Sequence, residues 1–409
     1  MKETQKQVGI DAISFYVPPF YLDLKLLAQE QRLPPEKFYQ TTGQYSMAVC
    51  SPDEDIVTMG ASAAVKILKD IDLHQIEMLL FATETGIDQS KAAGIYVHKL
   101  LDLPKNCRVV ELKQACYSAT AALQLANAWL QQNPDKKVLL IASDIARYEL
   151  QSTAETSQGA GAVAMLLTSH PRLIALEPEC GIYVDDVMDF WRPNYSREAF
   201  VDGKLSCDTY IKTLIETWRQ YNKHSQRQFD DHAVFCYHTP IPRLVENAHK
   251  KLARFTNKQL LSPEQVNAQI GASLTYSRQI GNCYTASLYL GVTSLLETFD
   301  NDLSEKRIGF YSYGSGCSGE FFSGIVQPDY QHHLHKNYHH ELLNCRKALS
   351  YSQYLHYYHS VTDQTTYTTP FVTTGQYRFA GLEHHQRQYC LNKNFQTFDL
   401  PASLRSRYT

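Results

Sequence analysis

The sequence predicts an α/β fold of two similar halves, each a sheet covered by helices on both faces. Three observations carry this. Short apolar runs such as EMLLFAT (77–83) and KVLLIAS (137–143) are continuous rather than alternating, as in strands buried on both faces. Strands alternate with stretches in which Ala, Val, Ile and Leu recur at helical spacing. The order strand, polar loop, helix also recurs after residue 232 as it does before residue 170, which reads as a duplicated unit.

Taken in order, the chain opens with a strand (VGIDAISFYV, 8–17) stopped by Pro18 and Pro19, which lack the ladder donor. Short helices are expected over 22–31 and 35–39, and a longer one over 55–69. The strand 77–83 leads to Glu84-Thr85-Gly86, then a helix over 92–101. The stretch RVVELKQACYSATAALQLANAWL (108–130) follows: an apolar strand, a polar turn holding Cys116, and a helix from about Ser118. After the strand 137–143, the glycines of QGAGAVAMLL (158–167) fit G-x-G-x-x-A. They precede the apolar run instead of following a strand, so they read as close packing at a strand start. Residues 177–232 are aromatic and turn-rich, then helical over 207–221; this reads as an insertion that covers the sheet. The alternation resumes with a strand over 233–237 ending at His238, and helices over 243–254 and 284–298. The strand 307–313 runs into Gly314-Ser315-Gly316-Cys317-Ser318-Gly319. That last run matches G-x-G-x-x-G, but the segment before Pro328 is too short for a crossover helix. Its glycines instead let backbone N–H groups approach a substrate oxygen. The expected segments are 1–170, 171–231, 232–327 and a C-terminal strap, 328–409, that includes further helices or strap segments.

Composition narrows the function. A chain of 409 residues with net charge −3 offers no basic field for nucleic acid or an anionic membrane. Ten scattered cysteines without C-x-x-C spacing, and a polar MKETQKQVGI at the N-terminus, point to reduced thiols in a cytoplasmic protein. No apolar run approaches the ~18 residues of a membrane span, and the C-terminal SLRSRYT carries no lipidation motif. Nine of the sixteen histidines lie beyond residue 331, without carboxylate or cysteine partners at ligand spacing. They read as solvated faces, and no metal site is expected.

Polar residues of three chemistries stand at strand ends, where doubly wound sheets gather their sites: Glu84, Cys116 and His238. A thiol at a helix start meets unpaired N–H groups and the positive end of a dipole, which favour thiolate. A cysteine with an imidazole supplies nucleophilic catalysis, and an added carboxylate points to proton removal from carbon. Asn282 is placed to fix the imidazole or a water, and the N–H groups of Cys116 and Ser315 to hold an oxyanion. Ordinary alternatives remain for each: a capping Glu84 or Asn282, a core Cys116, a satisfied buried His238.

Seven ordered stretches also resemble a known family. FATETGIDQSKA, ELKQACYSATAALQLA, DIARYELQSTAETSQGAGAVAML, VMDFWRPNY, CYHTPIPRLV, SRQIGNCYTASLYLG and YSYGSGCSGEFF are similar to 3-hydroxy-3-methylglutaryl-CoA synthases, particularly the bacterial mevalonate-pathway type. The resemblance runs from about Val8 to Val326 and more weakly beyond. It implies a thiolase fold of five α-β-α-β-α layers, a homodimer, and acetyl-CoA and acetoacetyl-CoA as substrates with no cofactor. It further implies Cys116 as the acetylated nucleophile, Glu84 as general acid/base, and His238 as the residue orienting the acetoacetyl carbonyl. Tyr148, Ser152, Thr156, Ser206, Arg243, Asn282 and Ser315 are the implied substrate contacts. Two features depart from the family: Ser118 replaces a usual Gly, and Arg243 stands where Lys is common, with Asn247 where some members have a CoA-contacting Lys. Three alternatives stay open: a β-branching synthase acting on acyl-carrier-protein substrates, a β-ketoacyl synthase or thiolase, and a non-catalytic protein of the same fold.

Overall fold

The computed structural model describes residues 7–69, 71–256, 260–360 and 364–392. The outer limits expected for the first and last segments, 1–6 and 393–409, lie outside the described residues.

The main sheet of the described residues contains β1 (Gly9–Tyr16), β2 (Ile76–Ala82), β3 (Arg108–Leu112), β4 (Lys137–Ile145), β5 (Ala160–Thr168), β6 (Ile174–Val184), β7 (Val234–Tyr237), β8 (Arg307–Gly314) and β9 (Ser318–Val326). Their lateral order is β7-β8-β9-β6-β1-β5-β4-β2-β3. The order contains a repeat. In the first half β2 and β4 run parallel, while β4–β5 and β5–β1 are antiparallel. In the second, β7 and β8 run parallel, while β8–β9 and β9–β6 are antiparallel. β3 adds one parallel strand at the edge of the first half. The half-sheets join through the pairs Gly9–Ala175 and Ile10–Ile174.

Every residue of β1 and β5 is buried, which is what continuous apolar strands require of cover on both faces. The helices that supply it are α1 (Ile56–Leu68), α2 (Ala93–Leu100), α3 (Ser118–Gln132), α4 (Gly203–Ser225), α5 (Pro242–Phe255) and α6 (Ser287–Thr298). α1 starts in a capping box, with the Asp55 carboxylate accepting from Val57 N and Thr58 N while Thr58 returns a bond. α6 is buried from Ser287 to Glu297, as a helix enclosed between the two halves must be. Its Tyr289 hydroxyl lies 2.8 Å from Thr120 Oγ1 of α3. Gln124 of α3 in turn donates to Glu320 of β9 at 2.7 Å. These two helices form the middle layer shared by the halves, and the arrangement matches the five layers expected.

Two expectations need correction. The stretch 171–231 is not insertion throughout: its first part is β6, eleven residues at the centre of the sheet. Pro178 and the charges beside it hid the strand. The ladder to β9 shifts register between Phe322 and Gly324, and Glu177 is paired with Arg227 and Arg307 at 2.7 Å. Only the part after β6 folds as a cover, through the small ladder of Phe190–Trp191 with Phe200–Val201, and then α4. In the C-terminal region, YRFAGLEHHQRQY is a hairpin of Tyr377–Glu383 with Gln386–Leu391, not a helix. His384 and His385 hold its turn at φ of 46° and 66°, a job usually given to Asn-Gly, so the turn went unread. Asp53 and Asp55, both buried, anchor this hairpin: Arg378 reaches Asp53 at 3.3 Å, and Arg387 reaches Asp55 at 2.6 Å. Another C-terminal histidine, His339, is fully buried, between Ser14 Oγ at 2.9 Å and Glu297 Oε1 at 2.7 Å.

Candidate active site

The topological repeat places two of the predicted residues. Glu84 follows β2 and His238 follows β7, the equivalent strand ends of the two halves. Cys116 lies in the turn between β3 and α3, and its thiol donates to Glu84 Oε1 at 3.0 Å. The turn is tight. Ala115 is left-handed at φ 42°, a conformation that costs a residue with a Cβ on the order of 1 kcal/mol. Ser118, unexplained by the sequence, secures it: the Ser118 hydroxyl donates to the Ala115 carbonyl at 3.2 Å. From the other half, the Gly314 backbone presses against this turn. A side chain there would meet Gln114 O at 2.6 Å and Tyr117 N at 2.7 Å.

Asp144, at the end of β4, holds the Glu84 loop. Its fully buried carboxylate accepts from Glu84 N and Thr85 N at 2.9 Å and from the Thr83 and Thr85 hydroxyls at 2.8 and 2.7 Å. Thr285, ahead of α6, donates to it through both N–H and hydroxyl. Asp189 does the same for the opposite wall, accepting from Tyr313 OH at 2.7 Å and Gly316 N at 2.9 Å. Neither aspartate was singled out from sequence. The available signal for Asp144 was its place at a strand's C-terminal end, shared with Glu84 and His238.

A cavity of about 180 Å³ opens over Cys116, lined also by Tyr148, Thr156, Ser206, His238, Asn282 and Ser315. Phe190, Tyr210, Tyr284 and Tyr313 give it aromatic walls. Asn282 lines the cavity, and its Oδ1 accepts from Tyr284 N and Ser287 Oγ, both at 2.9 Å, which holds the 3₁₀ turn ahead of α6. Glu84 faces a second, wider cleft of about 890 Å³, so the Cys116–Glu84 pair stands between the two. Ser152 and Arg243 are not brought to the cavity wall. Ser152 Oγ is buried without a hydrogen-bond partner among the described residues. Arg243 pairs with Glu246 at 2.7 Å near the rim residues Ile241 and Leu244.

The electrostatics overturn one expectation. Helix-start stabilisation was expected to make Cys116 a thiolate, yet burial and the adjacent Glu84 push its thiol well above the ordinary value. Glu84 is itself raised to about 8 by burial and the nearby Asp144, with partial relief from Cys116 and Arg192. The thiol therefore keeps its proton at rest, and Glu84 in its ionised form is the acceptor placed beside it. Burial lowers His238 to about 3, so its imidazole is neutral. His238 Nδ1 has no hydrogen-bond partner among the described residues. An unpaired buried nitrogen on a cavity wall is costly unless a ligand completes it.

A thiol, a carboxyl and a neutral imidazole assembled across two half-sheets in this way define a thiolase-like condensing enzyme, an acyltransferase. Models of the N-terminal and C-terminal regions of hydroxymethylglutaryl-coenzyme A synthase match residues 4–171, and 174–269 with 254–375. The chain belongs to the hydroxymethylglutaryl-CoA synthase family. It is 43% identical over 347 residues to the hydroxymethylglutaryl-CoA synthase of Enterococcus faecalis, covering 85% of this chain and 90% of that protein. It is 36% identical to the polyketide biosynthesis 3-hydroxy-3-methylglutaryl-ACP synthase PksG of Bacillus subtilis (strain 168), over 79% of this chain and 81% of that one. The solved structure of MvaS in complex with 3-hydroxy-3-methylglutaryl coenzyme A superposes with a TM-score of 0.88 at 33% identity, covering 95% of this chain and all of that one.

Proposed function

We propose that this enzyme condenses acetyl-CoA with acetoacetyl-CoA and water, giving 3-hydroxy-3-methylglutaryl-CoA and free CoA for isoprenoid synthesis by the mevalonate route. One observation carries the reading: Cys116 Sγ sits 3.0 Å from Glu84 Oε1 beside a cavity lined by His238, whose buried Nδ1 has no hydrogen-bond partner among the described residues. Cys116 gives its proton to ionised Glu84 and takes the acetyl group from acetyl-CoA, and Glu84 passes that proton to the departing CoA sulfur. Glu84, once ionised, removes a proton from the acetyl methyl. The resulting enolate attacks the acetoacetyl ketone, which neutral His238 orients and polarises by hydrogen bonding. Backbone N–H groups of Cys116 and Ser315 hold the thioester oxygen. Tyr148, Thr156, Ser206 and Asn282 shape the acyl cavity, while Arg243 and Ser152 act from its surroundings. Water then frees the product from Cys116.

The protein acts as a cytoplasmic homodimer in this reading. Support comes from β3, which lies at a sheet edge with Val110 half exposed, and from exposed Leu125 and Ile95 on the neighbouring helices. Analytical ultracentrifugation tests the dimer. For the activity, purified enzyme is given acetyl-CoA and acetoacetyl-CoA, and release of both products is measured. Absence of an acetyl adduct on Cys116 by mass spectrometry overturns the mechanism. The kinship with PksG supports a second reading, an acyl-carrier-protein substrate; near-absolute preference for carrier-bound acetoacetyl would establish it instead.

A further inference from the structure

The reaction creates one new charge. Hydrolysis of the final thioester leaves a carboxylate where an uncharged acyl–sulfur bond stood, beside Glu84 and close to Asp144. A new carboxylate in a partly buried site, with carboxyl groups already beside it, needs a cation. Cys116, His238 and the cavity's hydroxyls supply none.

The wider cleft supplies one. Arg192 lines it together with Glu84 and Ala115. Among the described residues, no hydrogen bond or ion pair engages its guanidinium. Its charge nevertheless reaches the site, where it favours ionisation of both Glu84 and Tyr284. The backbone that carries it is held firmly. Three residues before it, Asp189 binds Gly316 N and Tyr313 OH in the loop opposite Cys116. Phe190 packs its ring 5.7 Å from that of Tyr284, and Trp191 pairs with Phe200 in the small ladder. Arg192 follows the ladder strand directly and lines the wider cleft together with Phe190, which lines both cavities. An arginine with a fixed backbone and an unengaged fork, sharing a cleft with the carboxyl that lies 3.0 Å from the Cys116 sulfur, is built to take a carboxylate in two-pronged fashion.

We infer that Arg192 binds the carboxylate formed when the acyl thioester on Cys116 is hydrolysed, and so promotes that step. The inference rests on the condensation proposed above. In the step, a water oxygen bonds to the acyl carbon and the C–S bond breaks. One water proton returns to the Cys116 sulfur; the other passes to Glu84, leaving the product anion against Arg192. No oxidant or reductant is needed.

The test uses Arg192→Gln, Arg192→Lys and, as a control from the same cleft, Lys113→Gln. Each is checked for an unchanged melting temperature, since among the described residues no hydrogen bond or ion pair engages Arg192. Acetyl-CoA alone is added first, and both Cys116 acetylation and acetate release are followed. Acetoacetyl-CoA is then added, and intact protein is analysed for the covalent adduct that still carries CoA. The expected result for Arg192→Gln is normal acetylation, with hydrolysis of either thioester slowed ~10- to 100-fold. The CoA-bearing adduct accumulates, Arg192→Lys recovers part of the rate, and Lys113→Gln behaves as wild type. Hydrolysis at the wild-type rate in Arg192→Gln overturns the inference and leaves the condensation standing. Failure of the wild-type enzyme to acetylate Cys116 overturns both.

Discussion

Replacing Glu84 with Gln separates catalysis from stability in a way that the environment of Glu84 fixes quantitatively. In the unfolded chain this carboxyl titrates near its ordinary 4.5, and in the fold near 8, chiefly because burial disfavours its charge. Between those values the unfolded state binds fewer protons, so stability declines as pH rises through the window. The contribution is fully present below about 4.5 and gone above about 8. The full difference corresponds to about 5 kcal/mol. Glu84 keeps partial contact with solvent through the cleft, and screening reduces the expected value to about 2–3 kcal/mol. Glutamine keeps an acceptor for the Cys116 thiol but carries no proton to lose. Urea unfolding of both proteins from pH 5 to 9 should therefore converge at pH 5. Glu84→Gln should gain steadily to about pH 8, then hold a constant lead while making no condensed product. Parallel stability curves across the range would refute the reasoning.

Three further outcomes follow from described contacts. His238→Ala should leave Cys116 acetylation unchanged but raise the KM for acetoacetyl-CoA and lower kcat in steady-state assays. The wild-type rate should also show no limb near pH 6.5, because His238 stays neutral there. Asp55→Asn retains the helix cap but leaves Arg387 facing no charge, and should cost about 2–4 kcal/mol by urea unfolding, with acetylation intact. Ser118→Gly removes the bond to the Ala115 carbonyl and loosens a helix start, lowering stability by about 1 kcal/mol in thermal denaturation.

Much of the site was legible because each reactive residue ends an apolar run, where burial forbids a polar side chain without a purpose. Cys116, Glu84 and His238 were found that way, and their meeting follows from a duplicated sheet that the alternation of elements also revealed. What escaped was set by partners distant in sequence. β6 was masked by glutamates that read as surface residues until Arg227 and Arg307 arrive to pair with them. The C-terminal hairpin lacked turn residues of the usual kind, with His384 and His385 in their place. The state of Cys116 also reversed. Helix position argues for a thiolate, but local sequence says nothing of how deep the sulfur lies or that a carboxyl waits 3.0 Å away. Arg192 was visible within a motif, yet only the fold brings it to the cleft that Glu84 lines.

The placement of the Cys116–Glu84 pair between two cavities has a stereochemical consequence. In the proposed reaction the ketone held by His238 and the acetyl group on Cys116 share one cavity, while Glu84 reaches the methyl from the cleft behind, so the new bond forms on a single face of a planar carbonyl. Phe190, Tyr284 and Tyr313 wall the space that such a ketone would occupy. The tertiary alcohol that results is made in one hand, a chirality inherited from the fixed positions of three strand ends.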